Sequence, residues 1–553
     1  MKKLLTYIIL AIGVLSGCIW NDLPYPLVVP NVTSVIVDEA ENVEIDYVRR
    51  TVTIYLPETQ DIRAVAIRSV QVDQEIAKVP AELAGVHDLT EPLKFTITTY
   101  QDYDWTIVGV RNVNRYFTVQ GQVGASVIDE TNRRVVAMVG KDGDVENITV
   151  TSLKLGAEGK TTYSILMEEM KDFSAGIYVD VTEFDYTETW AIFVEVTDAS
   201  VEVQKVNAWA NMAYVTSIGV AGVENGFQYR EAGKSEWIDV PDEDITADGG
   251  SFVAHIKGLS PETEYEVVAI CADDRSPVVS FFTEAATPVP NGSFEYASLV
   301  SGASYYKFYD PDCGVADGSY MFWGSGNGEG SEGVNGSASM GIVITYIDKD
   351  EKVDGQQSVR AQTSQLAGIL AAGNLFTGQF AGLVGTSGGK VNFGRPWTTR
   401  PVAMKLYCKY ETGKVDILGN LPPGISLSKD DYDRAEIKFA LGKWDYRTYG
   451  GTPASPIHVN TTDSETFVDF KTDASTIAHG NLVIHNDGYI LNDAEKVSKT
   501  TSEWVEYTIP LNYHDMDAIP THIVISCAAS RYGDYFTGCS SSKLWIDAVE
   551  LIY

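Results

Sequence analysis

The sequence predicts an all-β chain built of several sandwich domains in series, and three observations carry that prediction. Short runs of Val, Ile, Thr and Tyr alternate with polar residues along nearly the whole chain and are separated by Gly, Asn and Asp, the period-2 pattern of half-buried strands. A length of 553 residues exceeds what one core can serve and corresponds to roughly three to five domains. A stretch in the N-terminal half repeats at a spacing of about 84 residues, the size of one small sandwich.

Residues 1–17 have the plan of a secretory signal peptide: Lys2 and Lys3, an apolar run from Leu4 to Val14, then the small residues Ser16 and Gly17. The run is too short to span a bilayer, so it reads as an address and not as a structural helix. Leu15-Ser16-Gly17-Cys18 resembles the bacterial lipobox, which implies lipidation of Cys18 after cleavage. Several acyl chains make such an anchor stable, whereas a single chain is marginal. The alternative is a secreted protein with a chance cysteine. Residues 18–30, with Pro24, Pro26 and Pro30, read as a stiff tether between anchor and folded body.

Residues 31–114 and 115–205 are expected to be two immunoglobulin-like sandwiches, the second a repeat of the first. Asp61-Ile62 lines up with Asp144-Val145, Arg49-Arg50 with Arg133-Arg134, and Trp105 with Trp190, each Trp inside an alternating strand and so assigned to a core. In residues 206–286 the string Gly258-Leu259-Ser260-Pro261-Glu262-Thr263-Glu264-Tyr265 resembles the E–F corner of fibronectin type III domains. That resemblance implies a Tyr265 hydroxyl bonded back to the loop backbone. Ala286-Thr287-Pro288-Val289-Pro290 is a short stiff linker.

Residues 287–553 contain no further linker of this kind and are expected to form one large β domain. Asn291-Gly292-Ser293-Phe294-Glu295 at its start and Leu544-Trp545-Ile546-Asp547-Ala548-Val549-Glu550-Leu551 at its end resemble jelly-roll carbohydrate-binding modules, in which first and last strands pair. The resemblance implies a structural Ca²⁺ held by Glu295 and Asp547, with carbonyls and water completing the shell. Both residues could equally be ordinary edge-strand acids. Met321-Phe322-Trp323-Gly324, Ala371-Ala372-Gly373-Asn374-Leu375-Phe376, and Gly394-Arg395-Pro396-Trp397 with Arg400-Pro401 are together similar to the carbohydrate metabolism domain of gut Bacteroidetes lipoproteins, a family commonly preceded by immunoglobulin-like units. The fold class expected is therefore tandem immunoglobulin- and fibronectin-like sandwiches followed by a jelly-roll sandwich.

Sugar rings are recognised by flat aromatic faces with fixed polar groups at the rim. The candidates are Trp323 in its Gly-rich setting, Trp397 between Arg395 and Arg400, and the cluster Trp444, Tyr446 and Tyr449, which reads as an aromatic loop. Each Trp has a core reading beside the binding one, because Trp is highly buried on average. Arg395 and Arg400 could clamp the carboxylate of a uronic acid or pair with the chain's own acids.

A net charge of −35 opposes binding to nucleic acid and to anionic headgroups. Five cysteines follow Cys18 without CxxC spacing or a nearby His, so no zinc site is legible; Cys527 and Cys539 are the one pair close enough to expect a local disulfide. Neither an HExxH motif nor a phosphate-binding loop is present. The functional expectation is an outer-membrane, surface-facing lipoprotein that captures oligo- or polysaccharide for glycan-uptake proteins, with a periplasm-facing anchor as the other placement. A glycoside hydrolase or lyase in the C-terminal domain and a structural or adhesive protein are the alternatives.

Overall fold

The computed structural model describes residues 28–47, 49–198, 200–309, 321–328, 335–366, 368–422, 425–486, 488–496 and 503–553. Cys18, its leader and Cys313 lie outside them. The described chain is all-β, as predicted, with helix confined to single turns. Its packing divides it into one unit ending at Val113 and a second beginning at Asn114.

In the first unit a three-stranded sheet containing Val32–Val37 and Val65–Val72 lies over a four-stranded sheet containing Thr51–Leu56 and Asp102–Arg111. Val52, Ile54 and Leu56 alternate inward with Trp105 and Ile107 into one core. Thr51–Leu56 runs parallel to Asp102–Arg111. Arg134–Gly140, the first long strand of the second unit, is likewise parallel to Tyr186–Thr197. Both copies enter the parallel strand through an arginine in the left-handed region, Arg50 (φ 50°) and Arg133 (φ 51°). Trp190 is buried, as Trp105 is.

Residues 202–282 form two facing sheets of four and five strands. The Tyr265 hydroxyl accepts the Ser260 N–H at 2.9 Å, closing the corner that the sequence string implies. This sandwich meets the one before it backbone to backbone: Gly124 N–H approaches the carbonyls of Gly219 (3.2 Å) and Gly250 (3.1 Å). A Cβ on Gly250 would lie 2.4 Å from the Gly124 nitrogen, so only glycine fits there.

The C-terminal domain is a sandwich of a twelve-stranded sheet and a five-stranded sheet, antiparallel throughout. The larger sheet runs through Gly388–Phe393, Asn374–Val384, His522–Ala528, Ala435–Gly442 and Thr476–His485 in that spatial order. Ile437, Phe439 and Leu441 face the smaller sheet, whose central strand Lys543–Ile552 contributes Leu544, Ile546 and Val549. One expectation needs correction: Asn291 to Glu295 is not a strand but a turn, with Asn291 and Phe294 both at positive φ. A single backbone bond, Val549 N–H to the Gly292 carbonyl, ties it to the last strand, and the fully buried Phe294 plugs the core below. The expected disulfide is absent: Cys527 and Cys539 are both free and buried. Burial pushes the Cys527 thiol up to about 12, so it is inert at neutral pH.

Candidate functional site

The side chains of Ala435–Gly442 that do not enter the core emerge on the other face of the large sheet. Glu436 and Lys438 therefore share that face, beside Ala528 and Ser526 on one neighbouring strand and Val483 and Asn481 on the other. Residues 443–475 fold back over the Ala440 end of this face. There Trp444, Ile457 and Val459 make a second small core with Ala440 and Val524. The Glu436 end stays open as a cleft walled by the loop after Ser530. Asn374, Glu436, Lys438, Ser526, Arg531 and Asp534 supply its polar lining, and Phe376 and Phe393 its apolar side. Phe467 of the covering segment meets Tyr535 of the loop edge to face, centroids 5.2 Å apart, so an aromatic pair joins the two insertions.

Glu436 is buried and surrounded by donors: Lys438 Nζ at 3.5 Å, Arg531 Nε at 3.4 Å and Asn481 Nδ2 at 3.3 Å. Its charge raises the affinity of Lys438 for its proton, against the effect of burial, with Asp534 and Asp469 adding to the rise. Protein packed around Asp534 pushes its carboxyl up; Lys438 opposes that shift and Glu436 adds to it. Lys438 and Asp534 nevertheless keep surface in contact with solvent. The cleft thus offers a cation and a carboxylate to a ligand, on a floor where Glu436 is already neutralised.

None of the aromatic and arginine residues singled out in the sequence lines this cleft. Trp323 is 1% exposed in the main core between Phe294 and Phe322, its indole N–H donating to the Pro290 carbonyl at 3.0 Å. Trp397, 6% exposed, packs on Phe322. Trp444 is 2% exposed, and instead of a loop Tyr446–Tyr449 is a single helical turn capped by Asp445. Both Trp444 Nε1 and the Tyr449 hydroxyl donate to Asp473 (3.2 and 2.8 Å). The three buried Trp rings have no open face on which a sugar could stack; Tyr449 is half-buried and Tyr446 is exposed, with the Arg447 guanidinium 5.7 Å from the Tyr446 ring centre.

The arginines are likewise internal. Arg395 donates to the Gly378 carbonyl (2.6 Å) and Ser455 Oγ (2.8 Å). Arg400, 3% exposed, joins domains: Nε and Nη2 hold Glu284 (2.8 and 2.7 Å), Nη1 reaches Asn207 and the Met516 carbonyl (2.7 Å each), and the guanidinium lies 4.7 Å over Trp209. The chain's own acid occupies the clamp that a uronate would need.

Glu295 and Asp547 converge on one loop. Asp547 accepts N–H groups of Val353 (2.7 Å), Asp354 (3.0 Å) and Ala548 (2.8 Å), and Glu295 accepts those of Gln356 (2.9 Å) and Gln357 (3.2 Å). Amide hydrogens here present positive ends to the oxygens that a Ca²⁺ would require, so the pair does not fit the cation. Among the described residues no group of three or more His, Cys, Asp or Glu could hold a metal ion. Gly385-Thr386-Ser387-Gly388-Gly389 has G-x-S-x-G spacing, but Ser387 sits in the turn between two strands and not at a strand-to-helix elbow.

The cleft was hard to find in the sequence because Glu436 and Lys438 alternate with apolar residues as any solvated strand face does. Their partners Arg531 and Asp534 come from a distant loop. The one local signal is Arg531-Tyr532-Gly533-Asp534-Tyr535-Phe536, a charged and aromatic run following an apolar strand.

Residues 293–552 match the family model described as "Putative carbohydrate metabolism domain". No curated protein matches the chain. Among solved structures it is similar to a "putative glycoside hydrolase" of Bacteroides thetaiotaomicron (16% identity, covering 79% of this chain and 95% of that one, TM-score 0.29). It is also similar to a "putative glycoside hydrolase" of Bacteroides vulgatus (19% identity, 48% and 97% covered, TM-score 0.30). A third similarity is to a surface glycan-binding protein of Prevotella bryantii (11% identity, 78% and 89% covered, TM-score 0.16).

Proposed function

We propose that this chain is a cell-envelope lipoprotein, anchored through Cys18 in the outer membrane and facing outward, whose C-terminal domain captures glycan in the Glu436–Lys438 cleft for glycan-uptake proteins. The observation that carries the binding reading is the cleft itself: a charged floor with both hydrogen-bond senses, beside aromatic walls, in the domain that matches a carbohydrate family model. The anchoring reading rests on Leu15-Ser16-Gly17-Cys18.

Affinity electrophoresis of the full chain in gels containing a panel of plant and microbial polysaccharides tests the binding reading. Retardation by at least one is expected, and mobility unchanged across the panel would overturn it. Glu436 and Asp534 lie in one cleft, an arrangement also open to glycoside hydrolysis. Reducing-sugar release in the same mixtures decides between capture and turnover. Incorporation of an alkyne-labelled fatty acid, abolished by Cys18→Ser, tests the anchor.

A further inference from the structure

The outward row that contains Glu436 and Lys438 continues past the start of its strand. Ile437 and Ala435 enter the core and Asp433 is buried, so Arg434 and Tyr432 alternate outward in step with Glu436 and Lys438. The neighbouring strand keeps the same order: Val483 stands opposite Glu436, and the Ala435–Ile484 pair brings His485 beside Arg434. Tyr432, Arg434 and His485, with Asp430, Asp431 and Asn486, line a second open cleft. The two clefts therefore meet at consecutive outward residues of one chain segment, Arg434 and Glu436. Arg531 adjoins both: its Nε lies 3.4 Å from Glu436, and its backbone N–H donates to the Arg434 carbonyl at 2.6 Å.

Each cleft holds what the other lacks. The first has hydrogen-bonding groups, but of its aromatic side chains Phe376 is buried and Phe393 half-buried. The second has an open ring, Tyr432, 43% exposed. Beside that ring the Arg434 guanidinium forms no ion pair among the described residues, although the chain has 76 acidic residues against 41 basic ones. Asp431 accepts instead from the Ser428 N–H and Oγ, at 2.7 and 2.8 Å. A sugar ring can stack on Tyr432 while its hydroxyls accept from Arg434, and further hydroxyls can bond to Lys438 in the first cleft. Tyr432 and Lys438 are about 20 Å apart along an extended chain at ~3.3 Å per residue, a reach that several linked sugar rings have and one ring does not.

We infer that the two clefts form one extended binding track for a run of several linked sugar units, with Tyr432 and Arg434 at one end and Lys438 at the other. This inference rests on the glycan-binding reading and deepens it: the ligand is an oligosaccharide chain, and Tyr432 and Arg434 are binding residues in addition to those of the first cleft.

The test is calorimetric titration of the full chain with galactomannan, xylan, dextran and laminarin, then with short and long fragments of whichever binds. Affinity is expected to rise with fragment length. Tyr432→Ala and Arg434→Gln should each weaken binding of the intact polysaccharide about tenfold, as Lys438→Gln does, with melting temperatures unchanged because both side chains lie at the surface. Full affinity in Tyr432→Ala and Arg434→Gln, with loss in Lys438→Gln, overturns the inference and leaves glycan capture in the first cleft standing. Two independent binding events, one removed by Arg434→Gln and the other by Lys438→Gln, also overturn it. Binding that none of the three substitutions weakens, or no binding to any polysaccharide, overturns the inference together with the reading on which it rests.

Discussion

The carboxylate of Asp433 accepts a hydrogen bond from Ser530 Oγ at 2.6 Å, and the same oxygen takes the Cys539 N–H at 2.8 Å and Ser542 Oγ at 2.8 Å. Ser530 and Cys539 are the two ends of the loop that carries Arg531, Asp534 and Tyr535. One buried acid therefore fixes the distal wall of the cleft to the strand bearing Glu436 and Lys438. The loop's geometry is demanding: Phe536 closes its helical turn at φ 57°, a conformation an aromatic residue adopts only where its surroundings hold it.

Asp433→Ala should lower the unfolding free energy by about 2–3 kcal/mol, since it orphans donors that are buried. It should weaken glycan binding as well, through the loss of loop order. Thermal unfolding together with hydrogen exchange of the 530–539 amides checks both. Unchanged protection in that loop would show that Asp433 is not its anchor.

Arg400 is the corresponding fixture between domains. Arg400→Met leaves the largely buried Glu284 without its cation, at a cost of about 3–5 kcal/mol, and Arg400→Lys should recover little because one ammonium cannot replace a fork serving four acceptor atoms. The expected signature is faster proteolysis in the linker 284–290, with cleft binding retained. A protease pattern identical to that of the unsubstituted chain would remove the joint from the account.

The loop 353–357 is held by acids that accept N–H groups, so a chelator should leave the melting temperature where it is, and added Ca²⁺ should not raise it. Asp547→Asn should lower it, because two of the accepted amides converge on one oxygen that the amide variant can present only by turning its own NH₂ toward Ala548. Calorimetry with and without chelator decides. A Ca²⁺-dependent rise would restore the cation to this site.

Four histidines set the pH response near neutrality. Burial lowers the proton affinity of His255, His458, His479 and His522 in the fold, and for His479 the stacked His514, 2.9 Å from ring nitrogen to ring nitrogen, lowers it further, with Asp469 and Asp493 opposing and Lys471 adding. The unfolded chain therefore binds more protons than the folded one below the ordinary histidine value of about 6.5, and stability is lost as pH falls through it. Melting temperature should drop between pH 7.5 and 5.5, less steeply in His514→Asn. The raised carboxyls of Asp433 and Asp547 act in the opposite sense, at more acidic pH.

Much of the fold was legible because it follows from local rules. Strand alternation, the repeat that lines up Arg49-Arg50 with Arg133-Arg134, and the Tyr265 corner are written in stretches of ten residues or fewer. The site was not legible in that way. Aromatic residues such as Trp323, Trp397 and Trp444 were the natural candidates for stacking, yet large rings are also what a two-sheet core and its overlying cover require, and they were used there. Glu436, Lys438 and Asp534 look like solvated charges until the loop fixed by Asp433 brings them into one cleft. That arrangement depends on contacts about a hundred residues apart in the chain, which no local pattern encodes.

The central claim is that glycan engages the Glu436–Lys438 cleft. A crystal structure of the full chain with an oligosaccharide cut from whichever polysaccharide retards it tests this most directly. Ring hydroxyls within hydrogen-bond distance of Lys438 Nζ and the Asp534 carboxylate are the result predicted. An oligosaccharide seated on the exposed Tyr446 and Arg447, with the cleft filled by water, would contradict it.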